Sequence, residues 1–164
     1  MHSVTCTSPS KAFNLAGLQI ANIISADTNI RTKIDKAINV NEVCDVSPFG
    51  VEALIAAYND SEEWLEELKQ YLFDNYNYLR AYFAEYLPEF PVSILEGTYL
   101  VWVDCSVLNQ SSDEIIKTLL EKEKIWVNEG SLYGEAGEGF IRINIACPRQ
   151  QLIEGLNRLR RALK

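Results

Sequence analysis

Apolar side chains in the middle of the chain repeat with the period of a helix. Between residues 47 and 87 they recur at spacings of three, four and seven, which predicts a long helix over that range. Ser47 suits its N-cap and Pro48 its first position. Asp60 and Ser61 interrupt the apolar stripe, so we expect a kink or a restart there. A helix of this length often joins two domains.

Shorter patterns precede this helix. The apolar run LQIANIIS, residues 18–25, predicts a buried strand or the end of an apolar segment. Asp27 or Thr28 can cap a short helix over residues 29–38, in which three isoleucines share one stripe.

After Pro88 the pattern alternates between extended and helical segments. Two extended runs are split at Gly97, and a helix capped by Ser111 or Ser112 follows them. The strand IWVNEG, a glycine-rich loop, the strand FIRINIA and a last helix complete the order. This order predicts an α/β (α+β) layer, in which helices cover one face of a small mixed or antiparallel sheet. In FIRINIA the isoleucines alternate with Arg142 and Asn144, so we expect these two side chains to leave the face opposite the core.

Composition and charge narrow the class of protein. The chain has 164 residues, of which 48% are hydrophobic, and this excludes a disordered chain. No apolar run is long enough to span a bilayer, and no signal peptide is visible. We expect a cytoplasmic protein because the cysteine pattern, described next, predicts reduced thiols. The net charge of −8 argues against nucleic-acid binding.

The cysteines and the histidine exclude several kinds of site. The four cysteines are widely spaced and form no CxxC pair, which predicts reduced thiols. His2 is the only histidine, so histidine-based triads and histidine-containing zinc sites are excluded.

Lys11 ends the hydroxyl-rich stretch SPSK. The S-x-x-K pattern of serine β-lactamases needs S-D-N and K-T-G partners, and this chain has only SSDE and KTLL in their place. A second interpretation is Schiff-base formation, which needs a neutral amine, with Ser8 and Ser10 holding a phosphate beside it. The competing interpretation, an ordinary solvated loop lysine, is the commoner case for such a residue taken alone.

Two further features carry candidate chemistry. Arg142 presents a planar fork that suits a carboxylate, whereas the alternative is a cross-strand ion pair on a solvated sheet face. The loop GSLYGEAGEG, residues 130–139, predicts a mobile lid or a flexible connection. It lacks the lysine of a phosphate-binding loop and leads into a strand, so it is no P-loop.

Four segments, in order, resemble one family. SPSKAFNLAGLQ is similar to the cofactor-lysine segment of class I/II aminotransferases, which are pyridoxal-phosphate (PLP) enzymes of fold type I. SPFGVEALIAAYNDSEEWLEELKQYL, EGTYLVWVDCS and GEGFIRINIACPR resemble later segments of the cystathionine β-lyase-like C–S lyase branch. The resemblance covers essentially the whole chain and only the C-terminal part of such an enzyme.

The resemblance implies roles for matched positions. Lys11 matches the lysine that holds PLP covalently and then moves the substrate α-proton. Ser8 and Ser10 match the hydroxyl positions that hold the cofactor phosphate, and Arg142 matches the arginine that grips the substrate carboxylate. Tyr99 and residues 130–139 are expected near the site without an assigned role.

The resemblance also implies an amino-acid substrate, a homodimeric parent enzyme, and either β-elimination or amino transfer. Many aminotransferases have a phosphate-binding arginine eight residues after the lysine, where this chain has Gln19, and this favours the lyase-like branch. The family's acidic partner for the pyridine nitrogen and its stacked aromatic ring lie upstream of the lysine.

Three regions follow from the resemblance. Residues 1–46 match part of the large cofactor-binding domain, residues 47–87 an interdomain helix, and residues 88–164 the C-terminal small domain. We expect this chain to be inactive on its own, because the acidic partner and the stacked aromatic ring of the family's cofactor pocket lie upstream of the lysine. The alternative is a non-catalytic small-domain fragment that acts only in folding or self-association.

Overall fold

The computed structural model describes residues 3–43 and 45–164. The chain divides into two compact units, with the division after Leu68. Each unit is built from its own local elements.

The first unit combines a two-stranded ribbon with helices. Strand β1 (Thr5–Thr7) pairs antiparallel with β2 (Asn22–Ile24). Helix α1 (Thr28–Val40) follows, then α2 (Pro48–Asp60) and the first turns of α3 (Glu62–Tyr86). The predicted helix after Asp27 is confirmed, because the Asp27 carboxylate accepts hydrogen bonds from the backbone N–H groups of Asn29 and Ile30 at 2.8 and 3.3 Å.

The buried strand predicted over residues 18–25 is wrong in length and burial. A short 3₁₀ turn occupies Ala16–Leu18, and only Asn22–Ile24 are extended. Ile23 and Ile24 are 48% and 54% exposed, because their strand belongs to a ribbon of only two strands.

The helical pattern over residues 47–87 forms two consecutive helices. α2 ends at Asp60 and α3 begins at Glu62, so the expected restart at Ser61 is confirmed. The Ser61 hydroxyl donates back to the Ala56 carbonyl of α2 at 3.1 Å. The division between units falls inside α3, whereas the division into residues 1–46, 47–87 and 88–164 stays a prediction.

The second unit is a three-stranded antiparallel sheet with helices on one face. Its further elements are β3 (Leu100–Asp104), α4 (Ser112–Glu123), β4 (Asn128–Glu129), β5 (Phe140–Asn144) and α5 (Arg149–Leu163). The strand order is β3-β5-β4, and both pairings are antiparallel. The first extended run after Pro88 contributes only an isolated bridge from Val92 to Val103.

One core fills the second unit. Side chains of α3, α4 and α5 pack against the inner faces of β3 and β5. Ile141 and Ile145 are fully buried, whereas Arg142 is half-buried and Asn144 exposed. The alternation predicted for the last strand is therefore confirmed, and it brings the Arg142 side chain to the face opposite the helices.

The described residues contain neither a membrane-spanning helix nor a disulfide. Over residues 3–43 and 45–164, no helix is long and apolar enough to cross a membrane. Cys6, Cys105 and Cys147 are free thiols, and Cys44 lies outside the described residues.

Candidate functional site

A closed turn carries Lys11 in the first unit. The N–H of Phe13 donates to the Pro9 carbonyl at 2.9 Å, and the N–H of Leu15 donates to the Ser10 carbonyl at 3.1 Å. Pro9 is buried while Lys11 is exposed. The backbone around Lys11 is therefore fixed on both sides, and its amine is displayed to solvent.

Two serine hydroxyls lie beside this lysine in the chain and contact each other. Ser8 Oγ donates to the Ile20 carbonyl at 2.7 Å and lies 2.6 Å from Ser10 Oγ. A hydroxyl has one proton to donate, and Ser8 donates its proton to the Ile20 carbonyl. In the contact between the two serines the Ser10 hydroxyl is therefore the donor and Ser8 Oγ the acceptor. The Ser10 hydroxyl needs only a rotation to give its proton to an anion, whereas Ser8 would first have to release Ile20.

An aromatic cluster anchors the same turn. The Phe13 ring stacks on Trp64 and meets Tyr58 edge-on, with both pairs of ring centroids 6.0 Å apart. The Tyr58 hydroxyl lies 3.3 Å from Thr7 Oγ1, at the end of β1. Aromatic contacts of this kind each add about 0.5–1.5 kcal/mol beyond burial, so the segment on both sides of Lys11 is tied to α2 and to the start of α3.

Gly50 allows α2 to approach the segment after Lys11. A Cβ atom at this position would lie 3.1 Å from the Leu18 carbonyl oxygen and 3.4 Å from Ile20 Cβ. Glycine at this position therefore lets the first turn of α2 pack against Leu18 and Ile20, and the Ile20 carbonyl accepts the hydrogen bond from Ser8.

Arg142 lies under an aromatic ring in the second unit. Its guanidinium carbon is 4.1 Å from the centroid of the Tyr133 ring, a cation–π contact. Nη2 donates to Asn128 Oδ1 at 3.4 Å, while Nε is buried without a hydrogen-bond partner. Across the sheet, Arg142 faces Trp102. Among the described residues none of these contacts is a carboxylate, so the ion pair considered from the sequence is not the state of Arg142.

The glycine-rich loop has defined turns and contacts, and its mobility stays a prediction. It forms two 3₁₀ turns, Gly130–Tyr133 and Glu135–Gly137. A Cβ atom at Gly130 would collide with the Gly137 carbonyl, so only glycine permits the turns to meet.

Ser112, fully buried at the start of α4, holds the end of this loop. Its Oγ accepts from the N–H of Gly139 at 2.9 Å, and its N–H donates to the Glu138 carboxylate at 2.6 Å. Gly139 has a φ of +78°, a left-handed conformation that glycine adopts without strain.

The candidate residues therefore lie in two places. Lys11, Ser8 and Ser10 come together in one turn of the first unit, and Arg142 belongs to the sheet of the second unit. Tyr99 is half-buried against the core of the second unit, and its carbonyl accepts from Ile145.

Tyr133 and Asn128, which contact the Arg142 guanidinium, were missed from the sequence. Also missed was the buried Asn75, whose side-chain amide donates to the carbonyls of Ile145 and Cys147 at 2.9 and 3.1 Å. An aromatic residue among the glycines of the loop was the one available signal for Tyr133.

The Lys11 amine with its two neighbouring hydroxyls has groups suited to an aldehyde and a phosphate, and the Arg142 guanidinium has groups suited to a carboxylate. Residues 1–159 match the model of the aminotransferase class I and II family, and the chain belongs to that family.

Individual relatives agree with this assignment. Cystathionine β-lyase PatB of Bacillus subtilis (strain 168) is 38% identical over 161 residues, which are 98% of this chain and 42% of that protein. Among solved structures, cystalysin from Treponema denticola with its PLP cofactor superposes with a TM-score of 0.93 at 32% identity, over 98% of this chain and 41% of that one. The PLP-bound C–S lyase from Staphylococcus hominis superposes with a TM-score of 0.85 at 35% identity, over 98% and 42%.

These likenesses establish the fold and its extent. The chain has the mixed α/β fold of the corresponding part of fold type I PLP enzymes, as the family resemblance predicts. It spans about 42% of the length of the relatives that it matches.

Proposed function

We propose that this chain provides the cofactor lysine and the substrate-carboxylate arginine of a PLP-dependent enzyme that acts on amino acids. Lys11 binds the cofactor covalently, Ser8 and Ser10 hold its phosphate, and Arg142 binds the substrate α-carboxylate. The relatives named as a cystathionine β-lyase and a C–S lyase favour elimination at a β-carbon that carries sulfur, with amino transfer as the other outcome. A homodimeric parent enzyme belongs to the same proposal.

One observation carries this proposal: a displayed amine on a fixed turn with two hydroxyls on the same turn. PLP carries an aldehyde and a phosphate, and this donor set fits both groups. When bound, PLP supplies an electron sink for negative charge at the substrate α-carbon.

Each residue of the chain then has a separate task. The Lys11 amine, when free, accepts the α-proton and can return it, and the closed turn fixes the backbone from which this side chain extends. Ser10 rotates its hydroxyl toward the phosphate, while the bond from Ser8 to Ile20 keeps the pair in position. The Arg142 guanidinium has no competing carboxylate among its described contacts, so its charge is available to the substrate.

Gln19 supports the lyase assignment over aspartate-type transaminases. It is exposed at the end of the 3₁₀ turn Ala16–Leu18, with a φ of +50°. An amide there can donate one hydrogen bond to a phosphate and brings no charge. The phosphate charge would then be met mainly by neutral donors.

We also propose that these 164 residues are catalytically silent by themselves, since they span about two fifths of the length of cystathionine β-lyase PatB. The competing function is a non-catalytic unit that self-associates. Exposed apolar side chains of the first unit favour self-association: Val40 at 70%, Val43 at 67% and Phe49 at 78% exposure. β-Elimination from cystathionine by the purified chain would contradict the proposal of silence.

Borohydride reduction in the presence of PLP, followed by peptide mapping, tests the assignment of Lys11. We expect label at Lys11 in excess of the other lysines, and its loss in Lys11→Arg. Lys33→Arg, which changes an exposed lysine of α1, is the matched control and should leave the Lys11 label unchanged. Label spread evenly over the lysines would contradict the cofactor role and favour the non-catalytic unit.

A further inference from the structure

We propose that Tyr133 is a positioning residue that fixes the plane of the Arg142 guanidinium for a substrate carboxylate. The inference rests on the proposed carboxylate role of Arg142 and goes beyond it, because the glycine-rich loop becomes the part of the protein that orients this arginine.

Tyr133 covers one face of the guanidinium group. The 4.1 Å from the Arg142 Cζ atom to the ring centroid is the shortest of the four arginine–tyrosine contacts found in the described residues. A carboxylate binds an arginine in the plane of the fork, through two parallel N–H···O bonds. A ring on the face therefore restrains rotation and leaves the edge of the group open.

The donors of Arg142 differ in their accessibility. Nε is buried without a partner and Nη2 has one long hydrogen bond to Asn128, which leaves the terminal nitrogens as the available edge. An arginine side chain loses about 1.5–2 kcal/mol of rotamer entropy when it is immobilised. Tyr133 and Asn128 immobilise it in advance, so a carboxylate that binds there has less of this cost to overcome.

The Tyr133 ring, being uncharged, can fix the Arg142 guanidinium without forming an ion pair with it. An aspartate or glutamate in the place of Tyr133 would hold the guanidinium more strongly but would compete with the substrate carboxylate. The ring attracts the cation through its quadrupole and occupies none of its N–H donors. The contact therefore positions Arg142 without neutralising it.

The loop in turn fixes the Tyr133 ring. Trp102 meets the ring edge-on with centroids 5.4 Å apart, and Trp102 is the cross-strand neighbour of Arg142. The turns of the loop are closed by the contact between Gly130 and Gly137 and by the hydrogen bond that the Gly139 N–H donates to Ser112 Oγ. The position of the ring thus follows from the sheet and from the start of α4.

The test compares two substitutions of Tyr133 in the full 164-residue chain. Tyr133→Phe keeps the ring, and Tyr133→Leu removes it; because Tyr133 is 48% exposed, neither change opens the core. Tyr86→Leu is the matched control, since Tyr86 makes the same kind of contact with Arg160, at 4.7 Å, elsewhere in the second unit. The readout is the NMR signal of the Arg142 Nε–H group, assigned by its loss in Arg142→Lys, during titration with L-alanine as the probe.

We expect Tyr133→Leu to speed hydrogen exchange of the Arg142 Nε–H and to weaken L-alanine binding by about threefold to tenfold. Tyr133→Phe and Tyr86→Leu should resemble the unchanged chain in both measurements. A normal response of the Arg142 signal to L-alanine in Tyr133→Leu would overturn the positioning role and leave the carboxylate role of Arg142 intact. The absence of any response in the unchanged chain, up to the solubility of the probe, would overturn the carboxylate role and the positioning role with it.

Discussion

Ser112→Ala removes one oxygen atom that joins the start of α4 to the end of the glycine-rich loop. Ser112 is fully buried, and its Oγ accepts from the Gly139 N–H at 2.9 Å and donates toward the Phe140 carbonyl at 3.3 Å. The substitution keeps the backbone bond from the N–H of Ser112 to Glu138. It therefore isolates the contribution of the hydroxyl.

The expected cost follows from these two bonds. Gly139 is buried, so its N–H is left without a partner, and an unsatisfied buried donor costs about 1–3 kcal/mol. The longer bond to Phe140 adds less, because its 3.3 Å exceeds the usual distance of an O–H···O hydrogen bond. We expect a loss of about 2 kcal/mol in the free energy of unfolding, and with a slope of about 2 kcal/mol/M the urea midpoint falls by about 1 M.

Urea denaturation and amide hydrogen exchange measure the two parts of this prediction. In Ser112→Ala the Gly139 amide should exchange much faster than in the unchanged chain. Ser111→Ala is the control one residue away: it removes the helix cap on the Glu114 N–H, costs about 1 kcal/mol, and leaves the Gly139 amide protected.

Equal exchange of the Gly139 amide in Ser112→Ala and the unchanged chain would refute the reasoning. The loop would then be held by its own glycine turns, and Ser112 would only complete the packing beneath it. A destabilisation as small as that of Ser111→Ala would lead to the same conclusion.

Three further predictions concern buried and ionised groups. Asn75→Ala should lower the free energy of unfolding by about 1–3 kcal/mol in urea, because the carbonyls of Ile145 and Cys147 lose their donor, whereas Gln70→Ala on the exposed side of α3 should change it little. Burial raises the pKa of the Cys105 thiol from 9.0 to about 12, so the unfolded chain loses this proton at a lower pH than the folded chain. The stability contributed by the protonated thiol is therefore complete below pH 9 and is lost as the pH rises toward 12. Cys105→Ala should flatten that part of an alkaline unfolding curve. Hydrogen bonds from the Ser111 N–H and hydroxyl lower the pKa of the Glu114 carboxyl from its ordinary value of 4.5. The stability that the ionised Glu114 gives to α4 is therefore present above pH 4.5 and is lost as the pH falls through the lowered pKa. Glu114→Gln should make acid unfolding less steep in that pH range.

Local patterns predicted much of the second unit. The alternation in FIRINIA correctly assigned the buried isoleucines and the opposite face of Arg142, because neighbouring side chains of a strand must leave opposite faces of the sheet. The cap of α4 was also predictable, since Ser111 and Glu114 act within a single turn of helix. The break at Ser61 followed from the interrupted apolar stripe of the helix.

The burial of residues 18–25 could not be predicted in the same way. Apolar runs indicate burial only when another layer covers them, and β2 is part of a ribbon of two strands. The contacts of the glycine-rich loop were unpredictable for a related reason. Its composition specifies neither its two turns nor the hydrogen bond from Gly139 to Ser112, which lies far away in the chain.

Sequence patterns alone predicted the helix after Asp27, the long helical stretch with its break, the two faces of β5, and the candidate site residues Lys11, Ser8, Ser10 and Arg142. These features depend on neighbours in the chain and on short motifs in a constant order. Only the tertiary structure decided that Arg142 lies under the Tyr133 ring instead of pairing with an acid. Strand register and loop packing bring those two side chains together, and both depend on residues far apart in the chain.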